Sequence, residues 1–112
     1  MTRGELGVER QGVLTVDRSV VMELVRLATL EVPGVAHLGA GGPAWRRWLR
    51  GRPVTVAIVG DGLKVRVRLV ARPGQQLLPL ASSVRAAIAA AVERVLTLEL
   101  RTVDVLIDGV GA

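Results

Sequence analysis

The sequence predicts an α+β fold: a two-layer sandwich of element order β-α-β-β-α-β, with two helices on one face of a four-stranded, mostly antiparallel sheet. Three observations predict it. Two stretches, Arg18 to Glu31 and Pro79 to Val95, repeat their apolar residues at helical spacing. Between them, Val54 to Leu69 alternates with a period of two about a Gly60-Asp61-Gly62 turn, which is hairpin chemistry. Short alternating segments flank both helices, Val13 to Val16 before the first and Thr102 to Asp108 after the second. This order fits the split βαβ, ferredoxin-like arrangement.

Residues 1–11 are polar and read as a flexible N-terminal segment; residues 12–110 read as a single domain. Asp17 can cap the first helix by accepting backbone N–H bonds. Its apolar residues, Val20, Val21, Leu24, Val25, Leu27 and Ala28, cover so much of its circumference that the helix is expected to be largely buried. Pro33 and Gly34 stop it. Ala36 to Gly42 reads as a glycine-rich loop, and Pro43 to Arg50 as a short helix. On that helix Trp45, Trp48 and Leu49 share one face, with Arg46, Arg47 and Arg50 on the other. In the hairpin, Val65, Val67 and Leu69 point one way and Lys64, Arg66, Arg68 and Arg72 the other. The second helix has a core stripe of Leu80, Val84, Ile88, Ala91, Val92 and Val95.

Composition narrows the function. Half of the 112 residues are hydrophobic, but there are only two Trp and no Phe or Tyr, so aliphatic side chains must do the packing. A chain of this length buries about 60–65% of the surface its unfolded form exposes. With no cysteine and one histidine, neither a disulfide nor an unaided zinc site can form. No cofactor is implied. The apolar run from Ala86 to Val92 is far shorter than the roughly 20 residues of a membrane span, and the N-terminus lacks a signal-peptide core, so a cytoplasmic, soluble protein is expected. The net charge of +5 favours an anionic surface without choosing among nucleic acid, membrane and acidic protein.

Two segments resemble the alkaline shock protein family: GVLTVDRSVVMELVRLATLEVPGVAHL, and PVTVAIVGDGLKVRVRLVARPGQQLLPLASSVRAAIAAAVE followed by VDVLIDGV. Together they span about Gly12 to Val110. The resemblance implies a non-enzymatic protein that self-associates, binds a membrane-anchored protein partner and serves envelope stress response or homeostasis. It implies no small-molecule substrate. The sequence departs from the family at Thr97-Leu98, at Asp104, in lacking long charged tails and in being basic.

Two stretches are candidate partner- or anion-binding sites. Trp45, Arg46, Arg47, Trp48, Arg50 and Arg52 could dock at a membrane interface or a partner groove. The competing and favoured reading has both Trp close an open end of a core short of large side chains, with the arginines as a solvated face. Lys64, Arg66, Arg68 and Arg72 could form a basic stripe for nucleic acid or anionic lipid. The plainer reading is a wet sheet face balanced by Asp104, Asp108 or Glu99. Gly39-Ala40-Gly41-Gly42 lacks the Lys and Ser/Thr of a phosphate loop, and His37 has no nucleophile or orienting acid beside it in sequence. An interaction protein is therefore expected, with a basic nucleic-acid-binding module or a direct binder of anionic lipid as alternatives.

Overall fold

A computed structural model describes residues 17–43, 45, 48–49, 51–60, 62–96 and 99–111. The expected strand at Val13 to Val16 and the N-terminal segment lie outside the described residues. In chain order come α1 (Arg18–Leu30), β1 (Val35–Leu38), β2 (Val54–Val59), β3 (Gly62–Ala71), α2 (Leu77–Val95) and β4 (Glu99–Val110). Two helices and a four-stranded sheet make the expected α+β sandwich.

β3 organises the sheet. One edge pairs antiparallel with β2 from Val54↔Val67 to Val59↔Gly62, and with β1 from Val35↔Ala71 to Leu38↔Leu69. The other pairs with β4 in parallel, from Gly62↔Glu99 to Ala71↔Val110. Two pairings are antiparallel and one is parallel, so β3–α2–β4 is a βαβ unit of adjacent strands. The sequence predicts turn and loop where β1 stands. Val35 to Leu38 is too short and too closely bounded by glycine to declare a strand in sequence, and it forms because the end of β3 offers an open edge.

The core lies between the helices and one sheet face. Val21 and Val25 of α1 meet Leu80, Val84, Ile88 and Val92 of α2 over Leu63, Val65, Val67 and Leu69 of β3, and Leu24 packs against the cluster. It is aliphatic throughout, as the composition requires. Among the described residues Thr29 is the buried polar one, and its Oγ1 donates to the Val25 carbonyl at 2.8 Å, so its burial leaves the hydroxyl paired. Two burial expectations are corrected. Val20 and Leu27 of α1 are about half exposed, and so is Val95 of α2. Only one stripe of α1 meets α2 and the sheet; the apolar residues outside that stripe have nothing described above them.

Candidate functional site

The outer face of the sheet, opposite the helices, carries the charge. Strand alternation puts Lys64, Arg66 and Arg68 of β3 there. Cross-strand partners share a face, so Thr55 and Ala57 join them from β2, and Thr102, Asp104 and Leu106 from β4. Two shallow hollows open on this face. One is lined by Thr55, Ala57, Lys64, Arg66, Thr102 and Asp104. The other, about 260 Å³, is lined by Arg52, Pro53, Thr55, Arg66, Arg68 and Leu106. Arg52 also lines a hollow beside Ser19, Met22, Glu23 and Arg26, so it stands where the sheet edge turns towards α1.

The two basic stretches that are separate in sequence thus meet through Arg52. Among the residues lining the two sheet-face hollows, Asp104 is the one carboxylate, and its Oδ2 lies 3.9 Å from the Arg66 guanidinium. Both side chains are exposed, so this long contact holds the guanidinium loosely. The expected balancing of charge across the sheet is therefore present, but weak at this pair. Arg72 does not join the group. It follows the end of β3, where its backbone N–H donates to the Gly34 carbonyl at 2.8 Å, and the buried Val70 separates it from Arg68.

The glycine-rich segment covers one end of this face. Gly39 N–H donates to the Arg68 carbonyl at 2.8 Å, Ala40 is buried, and a Cβ on Gly41 would lie 3.1 Å from the Asp108 carbonyl oxygen and 3.7 Å from Val70. The missing side chain lets the chain cross close over β4, sealing Val70 from water. The sequence predicts a glycine-rich loop here but not that it covers Val70. A buried valine at a position where alternation predicts exposure is the signal, and it is visible only in the structure. Gly62 acts similarly. The Arg101 side chain lies where its Cβ would be, at a bulge in the β3–β4 register.

Trp45, Trp48 and Leu49 have helical backbone, and their exposures are 65%, 81% and 66%. The expectation that both Trp close an open end of the core is overturned: they stand exposed, and the aliphatic cluster closes without them. Arg46, Arg47 and Arg50 lie outside the described residues. His37 sits half-buried on β1, where its Nδ1, when protonated, donates to the Leu38 carbonyl at 3.1 Å. Among the described residues no three His, Cys, Asp or Glu side chains gather as metal ligands. No helix of the described chain is long and apolar enough to cross a membrane. An open, guanidinium-rich surface of this kind can grip extended anionic partners, and it encloses little.

Fold and site define a small two-layer α+β domain with an exposed basic sheet face. The chain belongs to the alkaline shock protein 23 family, whose description gives it a cell envelope-related function; the match covers residues 7–112. The curated proteins contain no match. Among solved structures the fold is similar to forms of the MamM CTD. A single-substitution variant aligns with a TM-score of 0.59 at 15% identity, covering 81% of this chain and 95% of that one. A nickel form gives the same score and identity over 81% and 96%, and a manganese form gives 0.58 at 16% over 81% and 96%. At that identity the likeness is one of fold.

Proposed function

We propose that this is a non-enzymatic interaction protein of the cell envelope, self-associating and held near the membrane by a membrane-anchored protein partner. The observation that carries the reading is the basic outer face, with Arg52, Arg66 and Arg68 around one open hollow. The family's envelope-related role supports the location. Self-association is supported by the far edge of β4, a strand of 12 residues with no described neighbour on that side. Such an edge is a template for a second strand.

A photoreactive side chain at Thr55, in the middle of the basic face, tests the partner. It should cross-link a membrane protein in cells, and the adduct should disappear when Arg66 and Arg68 become Glu. Cross-links to soluble proteins alone, or none, overturn the reading. Sedimentation equilibrium tests self-association, which a monomer at every concentration would exclude.

The same convergence of guanidinium groups supports a second reading, a small nucleic-acid-binding module. It requires affinity that falls steeply with salt. The described face offers no aromatic ring on which a base could stack, which places this reading second.

A further inference from the structure

We propose that the helical segment bearing Trp45, Trp48 and Leu49 is a bilayer-contacting element that seats both indole rings in the interface of an anionic membrane. The inference rests on the envelope location proposed above and adds a lipid contact that is independent of the protein partner.

Residues three and four apart on a helix are neighbours, so Trp45, Trp48 and Leu49 form one apolar patch. All three are exposed, while the core is completed by Val, Leu, Ile and Ala. An exposed patch of large apolar groups on so small a domain marks a contact surface. Indole settles at the level of lipid headgroups because its ring is apolar and its N–H still needs a polar partner. The charge is complementary to such a surface. From Trp45 to Arg52 the sequence holds four arginines and no acid, with Arg52 exposed. Cations beside a membrane-facing segment are drawn to anionic lipid. The backbone next to Arg52 is open as well: Gly51 has φ of +81° and nothing within 4 Å of where a Cβ would stand. Single-stranded nucleic acid would also use arginine and indole, but stacking has no use for the aliphatic Leu49.

The composition supplies the probe. With two Trp and no Tyr or Phe, intrinsic fluorescence reports on this element alone. Vesicles of phosphatidylcholine with phosphatidylglycerol should carry the purified protein down on centrifugation and shift its emission to shorter wavelength. Vesicles of phosphatidylcholine alone, and free glycerol phosphate, should do neither. Trp45→Ala with Trp48→Ala should weaken vesicle binding by about tenfold or more, with an unchanged melting temperature because neither ring supports the core. Three results would overturn the proposal: no co-sedimentation with anionic vesicles at low salt, co-sedimentation without an emission shift, or a shift produced by a single-stranded oligonucleotide and not by vesicles. The vesicles contain no protein, so their failure leaves the partner reading standing, and failure of the Thr55 cross-link leaves the lipid contact standing.

Discussion

The two sides of β3 behave as though they belonged to different proteins. On one, Leu63, Val65, Val67 and Leu69 are no more than 2% exposed beneath both helices. On the other, Lys64 and Arg66 stand in water and Arg68 is half-buried. The residues alternate along a single strand, so a register shift of one would exchange the two sets. Stability is therefore concentrated on one side and the capacity for contact on the other. Leu69→Ala should cost about 2–5 kcal/mol in chemical denaturation, the range for truncating a fully buried leucine. Arg66→Ala should stay within about 0.5 kcal/mol, because it removes only an exposed 3.9 Å contact with Asp104. Equal losses would break the comparison.

How far this division could be read in advance depends on what wrote it. Period-two alternation from Val54 to Leu69 gave the inner and outer sets, and helical spacing gave Val21, Val84 and Ile88 as core. Those signals are local. The family resemblance was legible because its segments recur in order over most of the chain. What stayed hidden depended on distant contacts. The strand at Val35–Leu38 exists because β3 leaves an edge free. The burial of Val70 depends on the 39–42 segment crossing over it. A scarcity of large side chains predicts that both Trp close the core, yet both are exposed. Close packing of small branched residues filled it instead. The meeting of Arg52 with Arg66 and Arg68 likewise follows from the position of β2, which brings Arg52 to the sheet.

A smaller effect sharpens the comparison at the end where the dry side closes. Gly34 is buried between α1 and β1 with φ of +101°, and its carbonyl accepts from Arg72. A Cβ there would come within 2.5 Å of Gln75 Oε1 and 3.1 Å of Leu80 Cδ1. Gly34→Ala should therefore cost about 1–3 kcal/mol from backbone strain alone. Gly74 has a similar φ of +86° and open space around it, so Gly74→Ala should cost less by whatever the contacts add. A Gly34→Ala loss no greater than that of Gly74→Ala would mean that the Gln75 and Leu80 side chains move aside freely.

The smallest effect expected is at the start of α1, where the dry side gives way to water. Asp17 Oδ1 accepts the Ser19 backbone N–H and the Ser19 hydroxyl, each at 2.9 Å. The backbone bond first, and the hydroxyl second, hold the carboxyl below the usual aspartate range. A carboxyl whose pKa is lower in the folded chain contributes stability above its unfolded value and loses it as pH falls through the folded one. Melting temperature should therefore fall on acidification into and below the ordinary aspartate range. Asp17→Asn keeps a good capping side chain without the titration, so its acid loss should be slightly shallower, with little change at neutral pH. The group is fully exposed, so the difference should be small and should shrink in salt, which weakens the charge-dependent part of the bond. Superimposable acid profiles for the two proteins would show that the cap acts through its geometry alone.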